Sequence, residues 1–283
     1  RLKSYCLAHV ANARRVANDH AGADEAFARA WEFWRAGAGS DPELLPDWVL
    51  PSMEASLRRD QRRFSEALDL LDRARGCRDG SSSTASVFLL LQKEHVFDDM
   101  GDPRGALAAL AEAAPFIEAS GDARLSFVFQ FKTAHNLNQL ERFDEAAEML
   151  AGVRELAIQQ ANELDLLRLV WLESKVAAGQ GQTEAAVAGL ELVGRDFTAR
   201  EMPYDAALSS LDLAELWLRA GRTLEVQELA VAMGWIFRTQ GINREALAAL
   251  GLFCDAARQE RATVELTRRV IAEIEKARRR LPS

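Results

Sequence analysis

The sequence predicts an all-α fold, a solenoid of about seven antiparallel helical hairpins. Three observations carry this. Proline is scarce, seven of 283 residues, while alanine and leucine are abundant, and sustained apolar–polar alternation is missing, so helix is the default throughout. A short helix-opening triplet recurs as Asp24-Glu25-Ala26, Ser65-Glu66-Ala67, Arg104-Gly105-Ala106, Asp144-Glu145-Ala146, Glu184-Ala185-Ala186 and Leu224-Glu225-Val226. The last residues of these triplets are spaced by 41, 39, 40, 40 and 40 positions. Such even spacing is the mark of an internal repeat. Each of those residues, the anchor of its repeat, also starts an apolar stripe at i, i+4 and i+7: Ala26/Ala30/Phe33, Ala67/Leu71/Ala74, Ala106/Leu110/Ala113, Ala146/Leu150/Val153, Ala186/Leu190/Val193 and Val226/Ala230/Met233. That is one buried face of an α-helix.

Each unit therefore reads as helix A, a tight turn and helix B, with approximate repeats 1–40, 41–80, 81–120, 121–160, 161–200, 201–240 and 241–283 in a single array. The small anchor lets helix A approach closely. Glu25, Glu66, Glu145, Glu184 and Glu225 sit in the first turn of helix B, where the helix dipole favours negative charge. Gly101, Gly181 and Gly221, five residues before their anchors, suit the C-terminal cap of helix A. The seventh unit is the least regular, with helix A at about 243–259 and helix B at about 262–279. Terminal repeats depart from the consensus because they cap the stack. Arg268, Arg269, Glu273 and Lys276 fit such a solvated cap. Stretches 37–42 and 76–84 carry turn chemistry and read as loops between repeats.

Counting back from each anchor sorts helix A by face. Position −10 holds Val16, Leu57, Val96, Asn136, Val176 and Leu216 and should face the core. Positions −11 (Arg15, Ser56, His95, His135, Lys175, Glu215) and −7 (Asp19, Asp60, Asp99, Gln139, Gly179, Arg219) lie one turn apart and form a polar stripe. A solvated face accounts for most of these residues. The segment from Ser126 to Phe131 alternates like a strand but falls where the repeat requires helix A. On a helix Phe127 and Phe129 serve packing, and Phe131 faces outward. Trp31, Phe33, Trp34 and Trp48 are expected to pack the first repeat against the second.

Composition narrows the function. A net charge of −8 argues against a general nucleic-acid binder, even with the basic runs at 58–63 and 276–280. No run of 18 apolar residues exists, so no membrane-spanning helix is expected. Cys6, Cys77 and Cys254 are few, odd in number and scattered, which suits a reducing, cytoplasmic compartment. Cys77, between Arg75 and Arg78, is the most reactive candidate among them. The chain begins at Arg1 rather than Met, which reads as part of a longer protein. Nucleophile-elbow and P-loop motifs are missing, and Gly179-Gln180-Gly181 lies in a helix–helix turn with no strand before it. His95 and His135 repeat 40 residues apart beside Asp99, but no closed ligand set accompanies them. No catalytic residue, metal or cofactor is assigned, and the chain is read as a non-enzyme.

The stretches Val10-Ala11-Asn12-Ala13, Leu213-Ala214-Glu215-Leu216-Trp217 and Gly221-Arg222-Thr223-Leu224-Glu225-Val226 resemble pieces of the tetratricopeptide repeat (TPR) signature. The period is near 40 rather than 34, and the proline that closes each unit is mostly missing. In this the chain resembles the long-period arrays of bacterial regulatory and signalling proteins. The resemblance implies a right-handed superhelix whose helices A line a concave groove. It implies partner contacts at Arg15, Arg59, His95, Asp99, Phe131, His135, Asn138, Trp171, Lys175 and Arg219. Position −15 runs Ala11, Ser52, Leu91, Phe131, Trp171, Leu211, so the groove should be polar over repeats 1–3 and apolar or aromatic over repeats 4–6. The function implied is a protein-interaction scaffold that docks a partner peptide or segment. The alternative is the sensing module of a larger signalling or transcription-control protein. The chain's start shows no polar cap before Leu2, which leaves that end open to self-association.

Overall fold

The computed structural model describes residues 1–37, 46–76, 83–239 and 242–278. Among them are fourteen α-helices, one 3₁₀ segment and no strand. The helices are α1 (Leu2–Val16), α2 (His20–Ala36), α3 (Val49–Asp60), α4 (Phe64–Gly76), α5 (Ser83–Met100), α6 (Pro103–Ser120) and α7 (Ala123–Gln139). They continue as α8 (Phe143–Gln160), α9 (Glu163–Gly179), α10 (Thr183–Ala199), α11 (Pro203–Arg219), α12 (Thr223–Ala232), α13 (Arg244–Arg258) and α14 (Val264–Arg278). The 3₁₀ segment, Met233–Arg238, continues α12. Consecutive helices pack in pairs, the hairpin arrangement that the 40-residue period predicts. The predicted loops at 37–42 and 76–84, Cys77 and Arg279–Arg280 fall largely or wholly outside the described residues.

Two compact units follow one another along the chain, one over Arg1–Phe129 and the other from Gln130 on. Within each, helix B of one hairpin packs on helix A of the next, as α4 does on α5 and as α8 and α10 do on α9 and α11. The anchors make this possible. Ala26, Ala67, Ala106, Ala146, Ala186 and Val226 are all buried, as are the residues one turn on, from Ala30 to Ala230. Burying such a stripe stabilises each hairpin by roughly 25 cal/mol per Å² of apolar surface.

The turn inside each hairpin is fixed by backbone geometry. Five residues before the anchor, Arg62, Gly101, Glu141, Gly181 and Gly221 all have positive φ, between 58° and 77°. This left-handed residue lets the next amide reach back five residues. Arg63 donates to Arg58 O (2.8 Å), Asp102 to Phe97 O (2.9 Å), Arg142 to Leu137 O (3.0 Å), Gln182 to Ala177 O (2.8 Å) and Arg222 to Trp217 O (2.8 Å). A Cβ at Gly101, Gly181 or Gly221 would meet nothing within 4 Å, so it is φ and not space that selects glycine there.

The first and last hairpins depart from the pattern. In the first, the left-handed residue is Asn18, eight positions before the anchor, because α2 starts early at His20. Val16, expected in the core, is consequently exposed at 38%. In the last, α14 packs on α11 as well as on α13. The outward side of α14 carries the exposed Arg268, Arg269 and Glu273, while Val270, Ile274 and Ala277 enter the core of the second unit with Phe253, Trp217 and Ile236.

The aromatic segment at 126–131 is helical, within α7. Phe127 is buried and Phe129 packs beside Val87 and Leu90. Trp31 and Trp34 close the core shared by the first two hairpins, and Trp48 lies 5.9 Å from Phe88.

Replacing Gly181 with alanine is expected to lower stability by about 1 kcal/mol, because the new Cβ must adopt left-handed φ. The reverse change, Glu141→Gly, should raise stability by less than that, since glycine also widens the unfolded ensemble. Urea unfolding monitored by circular dichroism measures both, and equal destabilisation by the two substitutions would refute the turn argument.

Candidate functional site

In the first unit the polar stripe of helix A is joined into a ladder. Arg15 Nη1 on α1 meets Asp60 Oδ2 on α3 at 2.5 Å. Arg59 meets the other oxygen of Asp60 at 3.2 Å and reaches Asp99 on α5 at 3.5 Å. These four side chains are 12–24% exposed. His95 stands 3.8 Å from Glu94. A second network ties α2 to α3. Trp31 Nε1 donates to Glu54 Oε2 (2.5 Å), and Arg58 bridges Glu54 (2.5 Å) and Asp24. Gln61 donates to Asp24 at 2.6 Å. Burial opposes ionisation of Asp24, but the hydrogen bonds from Arg58 and Gln61 outweigh it and hold its carboxyl below the usual range. The charges of the run 58–63 are thus largely spent on carboxylates of the chain itself.

In the second unit α7, α9, α11 and α14 enclose a cavity of about 290 Å³. Phe131 and His135 from α7 and Trp171 and Lys175 from α9 lie on its wall. Each pair is spaced i, i+4, which puts both side chains on one helix face. Trp171 is fixed from two sides. Its ring meets Phe197 edge-on at 5.5 Å, and its Nε1 donates to Asp212 Oδ2 at 2.7 Å. The same oxygen lies 3.5 Å from Lys175 Nζ. Asp212 holds the Lys175 ammonium above its ordinary range, against desolvation. Burial pushes the Asp212 carboxyl up, and Lys175 and the Trp171 N–H pull it back. From α14 come Glu275 and Arg278, the latter 3.1 Å from Asp205 on α11. Arg168, one turn before Trp171, also lines the cavity. It is exposed and has no ion-pair or hydrogen-bond partner among the described residues.

Of the residues singled out in the sequence, the structure brings Phe131, His135, Trp171 and Lys175 to one cavity. Arg15, Arg59 and Asp99 meet through Asp60. Arg219 pairs instead with Glu215 on its own helix, which also takes Arg268 at 2.9 Å. Asn138 buries its Oδ1 away from the cavity wall. Leu211, at the apolar groove position, is wholly buried because α14 packs on α11. Arg168, Asp205, Asp212, Glu275 and Arg278 escaped the sequence reading. Arg168 was within reach, sharing a face with Trp171 and Lys175. The α14 residues were not, since their place depends on how the last hairpin folds back.

Among the described residues no group of three or more His, Cys, Asp or Glu side chains could hold a metal, and no helix is long and apolar enough to cross a membrane. Cys254 is buried, and burial pushes its thiol up to about 11.

No protein-family model and no curated protein matches the sequence. A solved structure of RapI in its apo form is similar to this chain over 98% of both, with a TM-score of 0.67 and 10% identity. At that identity the likeness shows the fold. The chain is an all-helical repeat protein of the solenoid class.

Folding lowers the Asp24 pKa, so the stability it adds is present above the ordinary carboxylate value of 3.8 and is lost as pH falls through the lower folded value. Asp24→Asn should therefore cost no more than about 1 kcal/mol at neutral pH, because the pair is partly exposed. The difference from wild type should shrink as pH drops below about 4. Urea titrations across that range test it, and a pH-independent difference would count against the ion pair. In a chain carrying Cys6→Ser and Cys77→Ser, the remaining Cys254 thiol should stay silent to Ellman's reagent at pH 8 until denaturant is added.

Proposed function

We propose that the chain is a TPR-like, non-catalytic interaction module that docks a partner peptide against the cavity of its second unit. The observation that supports this most directly is the pairing of an aromatic wall with one uncommitted cation. Phe131 and Trp171 offer an apolar surface, and Trp171 is held rigid by Asp212 and Phe197. Rigid aromatic side chains in partly desolvated pockets are the usual anchors of a docked peptide. Lys175 and Arg278 are neutralised by Asp212 and Asp205, whereas Arg168 is not. The peptide that fits places an apolar side chain between Phe131 and Trp171 and a carboxylate near Arg168.

A second reading treats the chain as the sensing part of a larger regulatory protein. It is favoured by α14, which contributes Glu275 and Arg278 to the cavity wall. A peptide that displaces Arg278 from Asp205 changes how α14 sits on α11, and so carries information to whatever follows or precedes the repeats.

Peptides selected from a random displayed library on the wild-type chain, then titrated by fluorescence anisotropy, test the first reading. The double variant Phe131→Ala/Trp171→Ala, verified as folded by circular dichroism, should bind at least about tenfold more weakly. Arg168→Gln should abolish the preference for an acidic residue. Peptides that bind both variants as tightly as wild type would move docking away from this cavity.

A further inference from the structure

A second and larger cavity, of about 510 Å³, lies on another side of α11, between α10, α11, α12 and the 3₁₀ segment. Its volume is in the range of small-molecule sites rather than of packing defects. The walls are chiefly apolar, with Leu190, Leu213, Leu229, Ile236 and Trp235 among them. It opens where helix B of the sixth hairpin stops being α-helical at Met233 and tightens into 3₁₀ geometry.

One neutral donor stands in this apolar wall. On α11, Ala206, Ser210, Leu213 and Trp217 all line the cavity, the i, i+4, i+7, i+11 stripe of one helix face. Trp217 is 8% exposed and gives its ring to the wall, while its Nε1 is fully buried and out of reach of an occupant. Ser210 is 9% exposed, and its hydroxyl bonds to no other described residue, whereas the adjacent Ser209 donates to Asp205 O at 2.8 Å. A buried hydroxyl without a partner destabilises a fold and is uncommon in native proteins. An alanine would occupy the position without that penalty. At the edge, α10 contributes Glu191 and Arg195, both exposed and neither in an ion pair among the described residues. Their opposite charges select for neither sign.

We infer that this cavity is a binding site for a small neutral molecule with an apolar chain and one carbonyl acceptor, which accepts a hydrogen bond from the Ser210 hydroxyl. An ionised carboxylate fits less well, because the donor inside carries no charge. The site is independent of the peptide-docking reading, which concerns the α14 side of α11.

Gly194 on α10 supplies the control. It lines the cavity, and a Cβ there meets only the Ser209 and Ser210 hydroxyls, both at 3.8 Å. Gly194→Leu therefore fills the cavity without a backbone clash and raises helix propensity. Octanamide is the probe, titrated calorimetrically and by tryptophan fluorescence, with octanoate as the charged comparison. The expected result is one octanamide per chain, at least about tenfold tighter than octanoate. Ser210→Ala should weaken octanamide by about tenfold, the effect of losing one hydrogen bond, while leaving the thermal midpoint unchanged or higher. Gly194→Leu should abolish binding and melt no lower than wild type. The inference is overturned if wild type binds no octanamide, if octanoate binds as well, or if Ser210→Ala binds octanamide unchanged. Retained binding by Gly194→Leu likewise places the probe elsewhere.

Discussion

The whole architecture depends on how closely helix A and helix B of a hairpin can approach. That distance is set by the first buried residue of helix B, an alanine in the second to fifth hairpins and Val226 in the sixth. A methyl group at this point lets two helices pack along their lengths, and the five-residue back-bond of the turn then fixes the angle between them. Once both are specified, each hairpin still has an unburied apolar stripe, and the next hairpin is the only surface available to cover it. The sixth hairpin, with its bulkier anchor, also has the shortest α-helix among the described residues, the ten-residue α12. It is there that the larger cavity opens.

The repeat was legible because its causes are local. Anchor, stripe and left-handed turn residue all lie within a dozen positions, and the turn asserts itself even where glycine is missing, at Arg62 and Glu141. The sequence reading faltered where a single position answers to more than its own hairpin. Val16 holds a core register in the repeat and yet is exposed, since the turn of the first hairpin is displaced to Asn18. Leu211 reads as a groove residue and is buried, because α14 covers it. Asp212 gives no sign of its role in the sequence, for its partners Trp171 and Lys175 lie a whole repeat away. Periodicity reports which residues share a face; it does not report which charges on that face will satisfy one another.

Charge satisfaction also separates the two polar surfaces. Along helices A of the first unit, Arg15, Asp60, Arg59 and Asp99 alternate in sign, so each side chain finds its counterpart on the neighbouring helix. Such a ladder stiffens the stack, and a ligand would have to break ion pairs to use it. In the second unit Phe131 and Trp171 stand one turn before His135 and Lys175 on the cavity wall, and the remaining charges are paired individually, Lys175 with Asp212 and Arg278 with Asp205. Of the three lysine and arginine side chains on the cavity wall, Arg168 is the one left without a carboxylate partner among the described residues.

The helix that holds the second unit together is α11. Thirteen of its seventeen residues are buried, a proportion possible only for a helix covered on nearly every side. Its neighbours explain this: α9 and α10 precede it, α12 with the 3₁₀ segment returns along it, and α14 closes the remaining side. The two cavities lie on different faces of this one rod, Asp205 on the wall of one and Ala206, Ser210, Leu213 and Trp217 on the wall of the other. A close-packed helix cannot yield on one face without moving against the contacts of the other. Helix α11 is thus the element that the walls of both cavities share, which is why its burial leaves so few of its positions free.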